Sequence, residues 1–227
     1  MEVHDAIMSR RSVRKFLPDP VPMASLRRIL EGAGMAPSGH NIQPWQVWVV
    51  AGAVKQALSA DILKAIADDP PERHQPEFDY YPTEWFEPYI GRRRATGFGL
   101  YGVLGIARED KAARLEQMNR NYIFFDAPVG LFVSFDRRLA TGTYMDIGMF
   151  IENILIGARG EGLHTCGQAA FTWFHDVIRR HVPIPEEQLL ACGIALGYED
   201  TAAAENSLRV DKLPVDDFTT FLGFDEA

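Results

Sequence analysis

Cysteine is scarce in this sequence, whose 227 residues contain only Cys166 and Cys192. Two thiols cannot form a disulfide framework or supply a zinc site of four cysteines. The six histidines show no i, i+4 spacing of the kind that places two metal ligands on one helix face. We therefore expect no metal centre, and the low cysteine content favours the cytoplasm over a secretory compartment.

An excess of positive charge and long apolar runs are also missing. The chain carries 31 acidic residues against 23 Lys and Arg, for a net charge of −8. Proteins that bind nucleic acid depend on basic charge, so we expect no nucleic-acid partner. No apolar stretch approaches the roughly 18 residues of a membrane span, and the acidic N-terminus lacks the apolar core of a signal peptide. We therefore expect no membrane partner.

The apolar pattern predicts few strands and many helices. Strands are predicted at 45–50 and 129–135, both as buried strands, and at 189–196, where small residues allow close packing. Helices are predicted at 3–10, 22–34, 54–67, 85–106, 111–122, 146–159 and 177–181. Because helices and strands do not alternate regularly, the pattern favours an α+β fold in which helices cover one sheet. The length suits a single domain over residues 1–227 with a substantial core.

Two segments depart from this regular pattern. Residues at about 70–106 begin with an irregular stretch rich in proline and aromatic side chains, which we interpret as a packed substrate lid. The tail at about 206–227 is polar at first and then apolar at Phe218, Phe221, Leu222 and Phe224. Such an ending predicts that the tail docks on another surface.

Residues 10–14 read Arg-Arg-Ser-Val-Arg, which places three guanidinium groups close enough to repel one another. One phosphate would offset that repulsion, because the planar fork of arginine matches phosphate oxygens. A solvated basic helix end is the alternative. Arg209 and Lys212 form a second basic pair that could close around the same phosphate from the other end of the chain.

A loop before the first predicted strand concentrates groups that bind ligands. Residues 37–45 combine hydroxyl and amide side chains with a permissive glycine and two prolines. Such loops bind planar polar ligands through side chains and exposed backbone, and an ordinary Asx turn is the alternative.

Residues 97–102 have the G-x-G-x-x-G spacing of a dinucleotide fingerprint. That fingerprint requires a strand before the glycines and a helix after them. The preceding residues, Arg-Arg-Arg-Ala-Thr, do not resemble a strand, so we interpret the glycines as allowing close helix packing. Cys166, among small residues, is interpreted as a buried filler and not a nucleophile.

Taken in order, these motifs resemble the flavin-dependent nitroreductase family, in the branch that reduces nitrobenzoates and other nitroaromatics. The likeness is carried by residues 10–14, by Ala-Pro-Ser-Gly-x-Asn-x-Gln-Pro-Trp at 36–45, and by the basic motif before Leu213-Pro214. Residues 124–129, 146–149 and 162–169 strengthen it. The resemblance implies a nitroreductase-like mixed sheet flanked by helices, in an intertwined homodimer with FMN at the subunit interface.

The resemblance also assigns residues to the cofactor. Arg10 and Arg14 would hold the phosphate, Arg11 would reach the polar edge of the flavin ring, and Ser12 would contact a ribityl or phosphate oxygen. The partner subunit would supply a loop of polar and conformationally restricted residues, namely Pro37, Ser38, Gly39, Asn41 and Gln43. The remaining assignments are ring contacts by Gly167, Gln168, Ala169 and Asn121, and phosphate contacts by Arg209 and Lys212.

The activity implied is reduction of a small nitroaromatic substrate by NADH or NADPH in a ping-pong cycle carried by FMN. Tyr81, Trp85, Arg92 and Arg93 are the predicted substrate contacts. A reductive dehalogenase of the iodotyrosine deiodinase type, a flavin-free nicotinamide dehydrogenase and a non-catalytic flavin-binding protein are the alternatives. Glu152 stands where the family pattern leads us to expect glutamine, and the sequence offers no reason for it.

Overall fold

The computed structural model describes residues 1–224, and a four-stranded sheet lies at its centre. The strands, in chain order, are β1 Trp45–Ala51, β2 Val129–Asp136, β3 His164–Gln168 and β4 Gln188–Gly197. Their order in the sheet is β1-β2-β4-β3, and each neighbouring pair is antiparallel. A parallel bridge joins Ser12 to Thr165. The predicted α+β class is confirmed, and the sheet is mixed only through this bridge within residues 1–224.

Helices flank the sheet in the described part of the chain. They are α1 Val3–Ser9, α2 Met23–Ala33, α3 Gly52–Asp68, α4 Tyr89–Val103, α5 Lys111–Asn119, α6 Thr143–Gly160 and α7 His175–His181. All seven predicted helices are confirmed, with shifted ends. The largest shift is in α4, which begins four residues after the predicted start at Trp85. Pro88 explains the delay, because a proline disfavours helical backbone in the residue before it.

Two predictions about strands were incomplete. β1 was expected to be buried, but it lies at an edge of the sheet, where Val49 is 43% exposed and Val50 is its only buried residue. β3 was not predicted, because His-Thr-Cys-Gly-Gln has neither an apolar alternation nor β-branched enrichment. Tertiary pairing with β4 stabilises this polar strand at the opposite edge.

The alternation of β2 and β4 divides the core between the two faces of the sheet. On one face, Leu131 and Ile194 pack with α2 and α6. On the other, Phe132 packs with α3, α7 and the turns at 120–126 and 169–174. Phe171, at the centre of that face, lies 4.5 Å from Phe124 and 5.2 Å from Phe132 between ring centroids. The turn that follows β3 is thereby fixed to the sheet.

The lid and the tail differ in how they pack. Phe78 anchors the irregular stretch on α6 through Tyr144, with 5.3 Å between ring centroids, whereas Tyr80 and Tyr81 are exposed. The four apolar side chains of the tail are exposed as well, so the tail does not dock on its own chain as far as Phe224. Residues 225–227 of the predicted tail lie outside the described residues. Within residues 1–224, no helix is long and apolar enough to cross a membrane.

Candidate functional site

The arginine-rich segment is not a helix end but an extended strand-like stretch. Helix α1 ends at Ser9, and Arg10 already has extended backbone angles. The N–H of Val13 donates to the carbonyl of Thr165 at 3.0 Å, beside the parallel bridge of Ser12. Farther along, the N–H of Leu17 donates to Tyr198 at 2.9 Å. The segment is thus attached to β3 and to the residues that follow β4.

Extended backbone points successive side chains to opposite sides, which separates the arginines. Arg10, Ser12 and Arg14 lie beside Cys166, whose pKa is raised by burial and lowered to a smaller extent by Arg14, by a hydrogen bond with Ser12 and by Arg10. Arg11 points the other way. The structure therefore brings three of the four predicted phosphate and ring contacts to one side and excludes Arg11 from it.

A cleft of about 230 Å³ opens on the Arg14 side. Its wall is formed by α4, α5, the turn after α5 and β3, and the lining residues are Arg14, Leu100, Tyr101, Gln117, Met118, Asn121, Phe125, Cys166 and Gly167. Arg14, Asn121 and Gly167 were predicted at the cofactor, and the cleft brings them together. The sequence did not predict that Leu100, Tyr101 and Gln117 line the cleft. The apolar periodicity of helices α4 and α5 is weak, so the sequence does not indicate which way these side chains point.

Arg14 carries positive charge into this cleft without a carboxylate to offset it. Within residues 1–224, no Asp or Glu oxygen lies within 4.0 Å of the Arg14 guanidinium. Its Nη1 donates to the carbonyl of Ser12 at 3.3 Å. A half-buried guanidinium at a cleft, without a carboxylate partner, favours binding of an anion. Of the arginines at 10–14, Arg14 is thus the one best suited to a ligand.

The C-terminal basic motif reaches the same region through Asn206. The side-chain oxygen of Asn206 accepts from the Arg14 N–H at 2.8 Å, and its carbonyl accepts from Arg209 Nη1 at 2.8 Å. Arg209 is therefore near the segment, as predicted. Lys212 is exposed, and no hydrogen bond or ion pair holds it among the described residues.

Glu152 has a partner in the structure. Its Oε1 lies 3.5 Å from Nε of Arg10, between α6 and the segment that follows α1. The glutamate that the family pattern did not predict therefore offsets part of the charge of Arg10. Arg10 consequently has less net charge to offer an anion than Arg14 does.

The residues that follow β3 are held by a buried amide. Nε2 of Gln168 donates to the carbonyl of Asn121 at 2.7 Å, and Oε1 of Gln168 is buried with no hydrogen-bond partner among the described residues. Gly167 is exposed, and a Cβ added to it would contact nothing within 4 Å. Ala169 is half-buried. An open backbone beside a fixed amide suits the close approach of a planar ring.

The polar loop at 37–45 lies elsewhere on the chain. The N–H of Gly39 donates to Oδ2 of Asp146 on α6 at 3.4 Å, and Oγ of Ser38 accepts from the Gln43 N–H at 3.0 Å. Asn41 and Gln43 have φ of 58° and 47° and are exposed. Left-handed backbone in residues other than glycine is strained and concentrates at functional sites. None of Pro37, Ser38, Gly39, Asn41 and Gln43 lines the cleft of the same chain.

The predicted substrate contacts also lie outside the cleft lining. The guanidinium of Arg93 stacks over Trp85 at 4.7 Å, and that of Arg92 lies over Tyr89 at 5.7 Å. Tyr81 contacts Trp85 with 5.4 Å between ring centroids. The glycines at 97–102 lie inside helix α4, which excludes a dinucleotide fingerprint. Close packing applies to one of them, because a Cβ on Gly99 would lie 3.0 Å from Leu208 whereas Gly97 and Gly102 have open space.

Comparisons with known proteins agree in family and fold. The model of the nitroreductase family matches residues 7–198. The 4-nitrobenzoate reductase of Nocardioides sp. (strain LMS-CY) is 42% identical over 100% of this chain and 92% of its own length. The nitrobenzene nitroreductase of Ectopseudomonas oleovorans is 36% identical over 97% of this chain and 96% of its own. The FMN and NADPH-dependent nitroreductase NfnB from Sphigopyxis sp. strain HMH has a TM-score of 0.94 and 37% identity, over 99% of this chain and 100% of that one. The chain therefore belongs to the nitroreductase family.

Proposed function

We propose that this protein is an NAD(P)H-dependent FMN nitroreductase that reduces nitroaromatic compounds of the nitrobenzoate type. The observation that carries the proposal is the cleft in which Arg14, free of any carboxylate among the described residues, lies beside the open backbone of Gly167. FMN, when bound, supplies the hydride transfer between NAD(P)H and the nitro group. The protein's part is to hold and orient that cofactor, which is why no acid–base pair stands out.

The residues fit FMN in their chemistry. Arg10 and Arg14 provide guanidinium groups and Ser12 a hydroxyl on one side of the segment, which suits a phosphate and a ribityl chain. Gly167 offers an unobstructed backbone beside the cleft, and Oε1 of Gln168 is a buried acceptor that has no partner within residues 1–224. Arg209, whose Nη1 donates to the carbonyl of Asn206, adds a third positive charge near the segment. These assignments keep the predicted roles of the residues named here, whereas Arg11 is left out of the site and the role of Lys212 stays a prediction.

The fit also calls for a second copy of the chain. At about 230 Å³ the cleft is smaller than the ~300–1,000 Å³ of typical ligand sites. We propose a homodimer in which the partner subunit completes the site with its loop at 37–43. Exposed apolar side chains support this proposal, and they lie on α1, on α6 and in the tail: Val3, Ile7, Met8, Met145, Met149, Phe218, Phe221, Leu222 and Phe224. A cytoplasmic location is supported by the two free thiols and the need for NAD(P)H.

Absorption spectroscopy tests the function directly. The purified protein is expected to be yellow, to bleach when NADPH or NADH is added without oxygen, and to regain its colour on addition of 4-nitrobenzoate. The same sample is expected to sediment at twice the chain mass of 25.5 kDa. A colourless protein with no affinity for FMN would refute the proposal, and turnover of an iodotyrosine in place of the nitroarene would favour the dehalogenase.

The geometry of α4 distinguishes among its three consecutive arginines. Leu100 and Tyr101 face the cleft, and the positions two helical turns earlier on that side are 93 and 94. Arg93 is held there by Trp85, and within residues 1–224 no carboxylate pairs with it. We propose that Arg93 attracts the carboxylate of a nitrobenzoate at the mouth of the site.

Replacing Arg93 tests this substrate contact. Arg93→Ala is expected to raise KM for 4-nitrobenzoate about fivefold, since an exposed ion pair contributes up to ~1 kcal/mol, and to leave KM for nitrobenzene unchanged. Steady-state kinetics with both substrates checks this. Arg180→Ala, an exposed arginine on α7, is the control. Equal effects on both substrates, or a larger effect from Arg92→Ala, would contradict the proposed contact.

A further inference from the structure

Arg11 is half-buried and belongs to a cluster of charges on the side of the segment away from the cleft. Its Nη2 contacts Oε1 of Glu199, whose side chain is only 4% exposed. Oε2 of the same carboxylate lies 3.2 Å from Nε2 of His164. Arg159 completes the cluster, because its Nη1 donates to that imidazole nitrogen at 2.8 Å.

This cluster carries one negative group for two guanidiniums. Burial, and next the charge of Arg159, lower the pKa of His164 to about 4, so the imidazole is neutral at pH 7. Glu199 is therefore the group that offsets the charge of Arg11.

Packing alone does not fix Arg11 in this orientation. A cavity of about 510 Å³, lined in part by His164, Tyr198 and Glu199, opens on the same side. The backbone of Glu199 forms an antiparallel bridge with Phe16, so its side chain acts from a position tied to the segment itself. Among the described residues, the carboxylate of Glu199 is the one hydrogen-bond and ion-pair partner of the Arg11 guanidinium. Without it, Arg11 would be left as an unpaired, half-buried charge that is free to turn out of this position.

We propose that Glu199 is a positioning residue, which holds Arg11 away from the cleft and so keeps Ser12 and Arg14 turned toward the cofactor. This inference rests on the proposed binding of FMN. It assigns to Glu199 an indirect role, exerted through Arg11 and the extended segment. It also predicts that Arg11 and Glu199 act as one unit.

Titration of FMN into the full-length apoprotein, followed by flavin fluorescence, tests the proposal. Glu199→Gln and Arg11→Met are each expected to raise the Kd for FMN at least tenfold. The double variant is expected to bind FMN no more weakly than the single variant with the higher Kd, because both changes remove the same contact. Arg11→Lys is expected to stay within about threefold of the parent, since one nitrogen of Arg11 meets Glu199 and an ammonium can replace it.

The control is Glu161→Gln, which removes a more exposed ion pair between Arg28 of α2 and the residue that follows α6, and which is expected to leave the Kd unchanged. Circular dichroism at the titration temperature establishes that each variant is folded. If Glu199→Gln binds FMN as tightly as the parent while Arg11→Met does not, Arg11 contacts the flavin directly and the proposal is wrong. Independent, additive effects would also overturn it. Failure of the unaltered protein to bind FMN would instead refute the proposed function.

Discussion

Arg14→Ala is expected to yield a protein that loses its flavin on desalting, with FMN bound about 10- to 100-fold more weakly, since a charge-assisted hydrogen bond contributes roughly 1.5–3 kcal/mol. This loss of affinity is expected from the surroundings of Arg14. Arg14 lines the cleft, and no carboxylate among the described residues neutralises it. A bound anion would therefore gain the full interaction with its guanidinium. Fluorescence titration gives the Kd, and the absorbance ratio of flavin to protein gives the occupancy.

Two variants place that result in context. Arg138→Ala is the matched control, because Arg138 is 80% exposed at the side chain and pairs with Asp136 outside the site. Arg10→Ala is expected to weaken FMN binding less than Arg14→Ala does, because Glu152 already offsets part of its charge. Full flavin occupancy in Arg14→Ala after desalting would contradict the assigned role.

The most apolar elements could be predicted from the sequence. Helix α6 and strands β2 and β4 are apolar enough that their type and approximate ends followed from the pattern. β3 could not be predicted, because its residues are polar and its conformation depends on pairing with β4 and with the segment at 12–13. The exposure of β1 was missed for a related reason: an apolar run does not reveal whether a strand lies at the centre or at the edge of a sheet.

The candidate site could likewise be predicted from the sequence only in part. The ordered motifs sufficed to indicate the family and the cofactor, which the comparisons support. The roles of the individual residues in Arg-Arg-Ser-Val-Arg were harder to predict from the sequence, because they depend on whether the backbone is helical or extended after Ser9. Once it is extended, alternation points Arg11 away from Arg10, Ser12 and Arg14, and the ion pair with Glu199 meets it on that side. Glu199 is far away in sequence and lies in no motif, so only the fold reveals that it pairs with Arg11.

The turn that follows β3 is held in place by a close contact between Gly193 of β4 and the ring of Phe171. A Cβ added to Gly193 of β4 would overlap the ring of Phe171, and that ring is fully buried between Phe124 and Phe132. The ring cannot move aside without displacing its two neighbours. Phe171 also belongs to the turn that begins directly after Gln168, so a shift of the ring would be transmitted to the residues beside the cleft.

Gly193→Ala is accordingly expected to lower the free energy of unfolding by about 3 kcal/mol, at the upper end of overpacking in a rigid core. For a chain of this size that corresponds to a fall of roughly 6–12 °C in Tm, measured by differential scanning calorimetry of the apoprotein. Gly32→Ala is the control, because a Cβ there meets nothing within 4 Å in helix α2. Adding Phe171→Leu to Gly193→Ala is expected to restore part of the loss by making room for the methyl group. If Gly193→Ala melts with the parent, the ring of Phe171 is not held against β4, and the turn at 169–174 must be positioned by other contacts.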